Sequence, residues 1–536
     1  MGGGDGSDRW VRRAVLAALA CALAAGCSVV PLRPVLPRSG GEGGGPATGD
    51  PLLPDPLDCS RWRYDGVEPG PLPPEWDDGD DRFTSRRDPA LARSPQALCG
   101  QLGAAVDLAW GVERGSPDVV VAVLDSGIEW QDPAAVRDLA RSAHLNRGEL
   151  PPPRFGGAGG EDPYDVDGDG RFSVLDYAGD PRVSDRNGNE VLDPRDLILT
   201  FSDGVDDDGN GYVDDISGWD FLEGDNDPLD VVEYGHGTGE ARDAAAAHDG
   251  EGAFGMCPEC SHLPVRVSDS FIAEGGRFAA GVLFAIDSGA DVVLDALGAV
   301  TNPPQAQQAI DAAHRRGLPV VASMADEQSQ HANLPSALNH TIAVNSVTEA
   351  MEPLSSVGSV VTGRRDTLAL NGCTNHGGTA WITVPSDGCS SEATGNAAGV
   401  VGLVQAAARR AGIEPHPDLA AAGVSGPGSN VLSVDEVAQL LRATADDVDF
   451  STPNDVDGAN RTRDPYGQLR FPTVRGWDAT FGYGRLNAYE VVRAVAAGDV
   501  PPEASITSPR WFVVEPTAGT LQVEGRVAAV RSSSYS

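Results

Sequence analysis

The sequence contains no lysine, so all 39 of its strongly basic residues are arginines. Chemistry that needs a lysine amine, such as Schiff-base formation, is therefore excluded. Acidic residues number 79, and the formal net charge of −40 at pH 7 opposes binding to nucleic acid and to anionic lipid surfaces. The N-terminal apolar run, Ala14 to Cys27, is too short to span a bilayer as a permanent helix.

This N-terminal segment has the pattern of an export signal, because three arginines precede the apolar run and small residues end it. The stretch LAAGC at 23–27 resembles the lipobox of bacterial lipoproteins, in which Cys27 carries the lipid. An ordinary signal peptide cleaved nearby is the alternative. We expect residues 1–27 to be a signal peptide, and the protein to be an outer-membrane lipoprotein or secreted, with the lipid as its only membrane contact.

Six cysteines remain beyond the signal segment, and an even number favours disulfide bonds in an exported protein. Six cysteines allow fifteen pairings. We prefer pairing between sequence neighbours, which joins Cys59 to Cys99, Cys257 to Cys260 and Cys373 to Cys389. CPEC at 257–260 is alternatively a redox or zinc site, although neither a second CxxC nor a clustered histidine pair accompanies it.

The composition divides the chain into segments. Residues 28–58 are rich in proline and glycine and predict a flexible tether, and 59–94 predict an irregular strap or a pro-segment. From residue 95 to 497, apolar strand patterns alternate with helical ones, which predicts an α/β fold with a doubly wound, mostly parallel sheet and helices on both faces. The strand patterns are at 119–124, 263–267, 292–297, 319–324 and 341–347. Residues 498–536 alternate in polarity and predict a β-like tail; the alternative is the start of a truncated module.

Three segments supply the residue types of a Ser/His/Asp triad. VVVAVLDSGI at 119–128 contains Asp125, EYGHGTGEARDAAA at 233–246 contains His236, and SDGCSSEATGNAAG at 386–399 contains Ser391. The predicted roles are orientation of the imidazole by Asp125, proton transfer by His236 and nucleophilic attack by Ser391. The neighbouring Ser390 is a rival nucleophile.

These segments resemble the Asp, His and Ser motifs of the subtilase (S8 peptidase) family, and FGYGRLNAYEVV at 481–492 resembles the end of its domain. The resemblance covers roughly residues 95–497. It implies a subtilisin-like fold and a monomeric serine endopeptidase that cleaves polypeptides through an acyl-enzyme. It also implies that Ala296, Leu297 and Gly298, in GADVVLDALGA at 289–299, line the substrate cleft.

The motifs depart from the family pattern around the nucleophile. The family's GTSMASP reads CSSEATG at 389–395, with Gly395 in place of proline, and Asp326 stands where the family has the asparagine that stabilises the oxyanion. An ionised carboxylate cannot donate a hydrogen bond, so Asp326 must be protonated or other donors must serve. A pseudoprotease and a calcium-dependent surface protein are the alternatives to an active enzyme.

An acidic insertion at 161–228 separates Asp125 from His236. Three of its segments, 165–176, 185–196 and 206–217, place oxygen-bearing residues as in an EF-hand-like calcium loop. In the middle segment Glu190 takes the place of the turn glycine. A solvated acidic loop is the alternative. The predicted calcium ligands are Asp165, Asp167, Asp169, Asp176, Asp206, Asp208, Asn210 and Asp214.

Overall fold

The computed structural model describes residues 103–154, 162–248, 252–349, 368–386, 388–424, 428–448, 473–509, 520 and 522–531. The predicted signal peptide, tether and strap, with Cys27, Cys59 and Cys99, lie outside these residues. Among the helices of the described ranges, none has the length and apolar character needed to cross a membrane.

The described residues are built on an eight-stranded sheet. The strands of the chain are β1 (Val120–Asp125), β2 (Trp219–Asp220), β3 (Ser261–Arg266), β4 (Ile272–Ala273), β5 (Val292–Asp295), β6 (Gly298–Ala299), β7 (Val320–Ser323), β8 (Thr341–Glu349), β9 (Leu368–Leu370), β10 (Ile382–Pro385), β11 (Glu503–Ser508) and β12 (Glu524–Ala528). Seven strands run parallel in the order β10-β8-β7-β5-β1-β3-β2, and β9 is antiparallel to β8. The pairs β4–β6 and β11–β12 are separate.

The central strand β1 explains why the sheet has two cores. All six of its residues are buried. Because successive side chains of a strand point to opposite faces, Val121 and Val123 pack into one core while Val120, Ala122 and Leu124 pack into the other. A strand covered on both faces reads as a continuous apolar run, as predicted. The predicted doubly wound, mostly parallel fold is therefore confirmed.

Helices cover both faces of this sheet. They are α1 (Val106–Ala109), α2 (Pro133–Arg137), α3 (Pro194–Phe201), α4 (His236–Ala245), α5 (Gly275–Asp287), α6 (Pro304–Arg315), α7 (Cys389–Arg410), α8 (Pro417–Ala421), α9 (Val434–Thr444) and α10 (Ala488–Ala496). Residues of α5 and α6 pack in the second core, and residues of α4, α7, α9 and α10 pack in the first. A short 3₁₀ helix lies at Val174–Tyr177.

The helix α7 is buried at every position from 392 to 408, which fits its small apolar side chains. At Gly399 it approaches α4 so closely that a Cβ there would lie 2.7 Å from the Ala244 carbonyl oxygen and 2.6 Å from Met256 Cβ. This contact sets α4, which begins with His236, against α7, which carries Ser391 in its first turn.

Candidate active site

The first part of the site is a hydrogen-bonded pair at the carboxyl end of β1. His236 Nδ1 lies 2.8 Å from Asp125 Oδ1 and 3.0 Å from Asp125 Oδ2. Asp125 is 1% exposed, and its Oδ1 also accepts the backbone N–H of Ser126 at 2.7 Å. The buried carboxylate thus orients the imidazole through Nδ1 and leaves Nε2 for proton transfer.

Glycine in the HGT segment allows this pair to form. A Cβ at Gly237 would lie 2.5 Å from the Gly127 carbonyl oxygen and 3.1 Å from Asp125 Cβ, so a larger residue would push α4 away from β1. The Gly237 N–H donates to Ser126 Oγ at 3.0 Å, and that hydroxyl donates to Asp230 at 3.0 Å. The start of α4 is therefore fixed to the end of β1 by close contact and by hydrogen bonds.

Acidic neighbours control the protonation of His236. Burial by itself would lower the pKa of its imidazole, but the carboxylates of Asp125, Asp326 and Asp230 outweigh burial and raise the pKa above the ordinary value. The Tyr234 ring stacks on the imidazole with a centroid separation of 5.4 Å and an interplanar angle of 6°. His236 consequently becomes a free base only at a higher pH than an ordinary histidine.

The two candidate nucleophiles differ in their surroundings. Ser390 is fully buried, and its hydroxyl is hydrogen-bonded to both Asp326 Oδ1 and Ser323 Oγ at 2.7 Å. Ser391 is partly exposed in the first turn of α7, and its hydroxyl donates to the Ala296 carbonyl oxygen at 3.1 Å. Among the described residues, the Ser391 hydroxyl is hydrogen-bonded to Ala296 and not to His236. Accessibility favours Ser391, the residue indicated by the motif.

Asp326 lies at the amino end of α7. Its Oδ1 accepts the backbone N–H of Ser390 at 3.0 Å together with the Ser390 hydroxyl. Burial raises the pKa of Asp326 more than these two hydrogen bonds lower it. The carboxyl group therefore acts as an acceptor toward the start of α7.

A disulfide bond joins this turn to the rest of the domain. The structure links Cys373 to Cys389, and also Cys257 to Cys260, two of the three pairs preferred from the sequence. Cys389 has a φ of 64°, in the left-handed region that few non-glycine residues adopt. Cys257 and Cys260 are bonded to each other, which leaves no thiolate for zinc, and both are fully buried, which opposes access by the partner that a redox role requires.

The predicted wall of the substrate cleft follows β5. Ala296 and Leu297 are buried, and Gly298 begins β6, where its N–H donates to the Phe271 carbonyl oxygen at 2.9 Å. The short partner strand β4 was not predicted from the sequence. Beside strands β4 and β6, Phe271 is 62% exposed and Val300 is 79% exposed, so apolar surface flanks the predicted wall of the substrate cleft.

Two buried carboxyl groups near Asp125 and His236 were not predicted from the sequence. Asp295 ends β5 beside β1, is fully buried, and has no hydrogen-bond partner for either oxygen among the described residues. Burial, reinforced by the charge of Asp125, raises the pKa of Asp295 well above its usual range. Glu240 lies on α4 one turn after His236, a spacing that places both residues on one face of the helix. That spacing is the signal that would have revealed it.

The acidic insertion gathers only part of the predicted ligand set. Carboxylate oxygens of Asp165, Asp167 and Asp176 lie within 4.8 Å of one another, whereas Asp169 forms an ion pair with Arg141 at 3.1 Å. In the third loop, Asp208 belongs to a similar cluster with Glu149 and Asp215, two residues that were not predicted. Of the other predicted ligands of that loop, Asn210 donates from Nδ2 to Asp208 at 3.2 Å and to Asp215 at 3.0 Å, whereas Asp206 and Asp214 are not members of this carboxylate cluster.

All three acidic segments share one loop shape. The first aspartate of each accepts backbone N–H groups from the residues three and five positions later. The residue five positions later has a positive φ in every case: 85° at Gly170, 66° at Glu190 and 97° at Gly211. The middle loop thus adopts the turn even though glutamate replaces glycine. Carboxylate oxygens held in such turns are suitable ligands for a hard cation such as Ca²⁺.

Comparison with known proteins shows what this chain is similar to. The family model described as "Subtilase family" matches residues 116–484. The chain is 33% identical to thermitase of Thermoactinomyces vulgaris over 202 residues, which cover 37% of this chain and 69% of that protein. It is 27% identical to a thermophilic serine proteinase of Bacillus sp. (strain AK1) over 324 residues, covering 60% and 65% respectively. The structure of fervidolysin from Fervidobacterium pennivorans aligns with a TM-score of 0.41 at 16% identity, covering 75% of this chain and 45% of that one.

Proposed function

Since this chain belongs to the subtilase family, we propose that it is a serine endopeptidase that hydrolyses peptide bonds through an acyl-enzyme on Ser391. The observation that carries the proposal is the bond of 2.8 Å between His236 Nδ1 and the buried Asp125 carboxylate. This arrangement selects the tautomer in which Nε2 has a lone pair and acts as a base. The position of Ser391 in the first turn of α7 supports its role as nucleophile.

In the proposed reaction the Ser391 hydroxyl leaves the Ala296 carbonyl and turns toward His236 Nε2, which takes its proton. The Ser391 Oγ bonds to the substrate carbonyl carbon, and the imidazolium then protonates the departing amine. Water repeats the two steps and releases the acyl group. Asp125 stabilises the imidazolium through its hydrogen bond to Nδ1.

Stabilisation of the oxyanion would depend on pH. Backbone N–H groups and the dipole at the start of α7 favour a negative charge there. Asp326 would add a donor only while protonated, and its raised pKa extends that form above the usual carboxyl range. We therefore propose that Asp326 takes part in oxyanion stabilisation at lower pH and opposes it at higher pH.

The proposed substrate is an extended polypeptide that lies along Ala296, Leu297 and Gly298 and forms backbone hydrogen bonds there. The exposed side chains of Phe271 and Val300 support contact with apolar residues of the substrate. We further propose a monomer in the cell envelope or outside the cell, held by lipid at Cys27, with Ca²⁺ bound by Asp165, Asp167 and Asp176 as a structural ion.

A fluorophosphonate probe, which reacts with activated serines, tests the proposal directly. The folded parent protein should be labelled, Ser391→Ala should lose the label, and Ser390→Ala should retain it. The matched serine variants separate the two candidate nucleophiles. Labelling that survives in Ser391→Ala would exclude Ser391 as the nucleophile.

A pseudoprotease is the second candidate function. It is favoured by the hydrogen bond from Ser391 to Ala296 and by the acceptor role of Asp326. In that case the protein would bind polypeptides in the same cleft without cleaving them. Absence of labelling in folded, calcium-loaded protein, together with binding of an unstructured polypeptide, would identify this function.

A further inference from the structure

Glu240 lies on the side of His236 that must exchange the proton with Ser391. Its Oε1 is 4.0 Å from His236 Nε2, and the residue is 4% exposed. Its Oε2 is buried and has no hydrogen-bond partner among the described residues. A buried carboxyl that lacks partners is costly, so its presence beside the reactive nitrogen calls for an explanation.

The departure of the serine motif at Gly395 makes room for this carboxyl. A Cβ at Gly395 would lie 2.9 Å from Glu240 Oε2 and 2.9 Å from Asp243 Cβ. A proline there, as in the family motif, would therefore contact the Glu240 carboxyl. The glutamate on α4 and the glycine on α7 thus fit each other.

The four charged groups with the largest effect on Glu240 are all acidic. Burial, followed by the charges of Asp243 on α4, Asp125 on β1, Glu392 on α7 and Asp326 after β7, raises the pKa of Glu240 well above the usual value. Glu240 therefore retains its proton at a pH at which an ordinary carboxyl is ionised.

We propose that Glu240 is a positioning residue that shares one proton with His236 Nε2, so that the pair, and not the imidazole alone, must release this proton before catalysis. The inference rests on the proposed function. The proposed hydrogen bond requires a side-chain rotation that shortens the distance of 4.0 Å between Glu240 Oε1 and His236 Nε2. Moving the proton from the Glu240 carboxyl to Nε2 creates an imidazolium and a carboxylate, with no change in total charge. Once the proton leaves to solvent, the neutral imidazole accepts the proton of Ser391.

The carboxylate left behind increases the proton affinity of Nε2. A charge this close shifts a pKa by about one to three units. Glu240→Gln keeps the size and polarity of the side chain but removes the charge. We therefore expect the midpoint of the His236 titration, and the acidic limb of kcat/KM, to move down by about one to three pH units in this variant.

The measurement is NMR of histidine labelled with ¹⁵N in the inactive Ser391→Ala background, which prevents self-digestion. The chain has nine histidines, and the His236 signal is the one lost in His236→Gln. Asp243→Asn is the matched control, because it removes one negative charge from the same helix without altering the side chain at Nε2. It should shift the midpoint by less than half as much as Glu240→Gln.

An unchanged midpoint in folded Glu240→Gln, or an equal shift in Asp243→Asn, would overturn the inference. Should Glu240→Gln fail to fold, the Ser391→Ala protein decides, since a shared proton requires a two-step titration of His236 and a single step refutes it. Failure of the proposed function can be distinguished from failure of the inference about Glu240. A two-step titration without fluorophosphonate labelling of the parent refutes peptidase activity alone, and full labelling with a single step refutes the role of Glu240 alone.

Discussion

The histidine part of the site, Asp125 with His236, and the serine part around Ser391 depart from the subtilase pattern to different degrees. Asp125 and His236 form the hydrogen-bonded pair that base catalysis requires, at the joint between β1 and α4. Around Ser391, by contrast, Asp326 and Glu392 accept hydrogen bonds from the backbone N–H groups of Ser390 and Gly388. The positions of Asp125 and His236 depend on strand–helix packing, whereas the first turn of α7 offers free N–H groups that nearby carboxylates can bind.

The consequence is a site dominated by negative charge. Nearby carboxylates stabilise the imidazolium of His236 and oppose the oxyanion. In the proposed mechanism His236 acts as a base only at a pH above its raised pKa, while Asp326 donates only below its own raised pKa. Because protonated Asp326 and neutral His236 must coexist, the sequence predicts a narrow pH window with an optimum below that of relatives with asparagine. The raised pKa of His236 moves the acidic limb of the pH–activity profile to higher pH, so we expect this profile to be a narrow bell.

The largest effect should come from breaking the histidine part. Asp125→Asn keeps the shape of the side chain but favours the wrong tautomer of His236, and kcat should fall by about 10⁴-fold. Steady-state hydrolysis of an unstructured polypeptide measures the loss. Asp230→Asn, which removes a more distant carboxylate, is the control and should remain within about tenfold of the parent. A similar small loss in Asp125→Asn would show that the pair is not used.

In the serine part, Asp326→Asn should increase activity on the alkaline side. Asparagine retains an oxygen for Ser390 and adds an N–H₂ donor, which is worth roughly 10²–10³ in kcat where the parent carboxyl is ionised. The sign follows from the raised pKa: Asp326 loses its proton as the pH rises through that value, and activity falls with it. Asparagine does not titrate, so the alkaline limb should flatten. Loss of activity at every pH in folded Asp326→Asn would contradict the assignment.

The two disulfide bonds allow a smaller comparison. Cys373 and Cys389 are 16 residues apart, while Cys257 and Cys260 are three apart. In the chain-entropy account, the longer loop contributes about 3 kcal/mol to the free energy of unfolding and the shorter about 2 kcal/mol. Denaturant titration of the two double Cys→Ser variants measures this difference. Only Cys373→Ser with Cys389→Ser should also slow fluorophosphonate labelling, and equal labelling rates would show that the start of α7 does not need the bond.

Calcium should act on stability, at a distance from the catalytic residues. A ligand that binds only the folded state adds about 2.7 kcal/mol at a hundredfold excess over Kd. Calcium should therefore raise the Tm of the parent protein, and Asp165→Asn with Asp167→Asn should remove most of that increase. Asp269→Asn, an exposed aspartate outside the insertion, is the control for loss of charge. Identical melting curves with calcium and with chelator would refute the site.

Much of the site could be predicted from local pattern. Asp125 ends an apolar run. A strand buried on both faces can be recognised from its own continuous apolar run, without knowing which strands pair with it. The carboxylate cluster of the third acidic loop could be predicted only in part, because the cluster around Asp208 includes Glu149, which is distant in sequence. Likewise β4 was missed, since two residues carry too little periodicity to reveal a strand.

The sequence by itself determined the parallel α/β fold, the order of the Asp, His and Ser segments and the acidic character of the chain, because periodicity, motif spacing and charge are local properties. Only the tertiary structure decided which serine is accessible, that Asp326 accepts from the start of α7, and that Glu240 lies 4.0 Å from His236 Nε2 in space opened by Gly395. Those facts depend on distances between β1, α4, α7 and the end of β7, and such distances are set by packing between elements far apart in the chain.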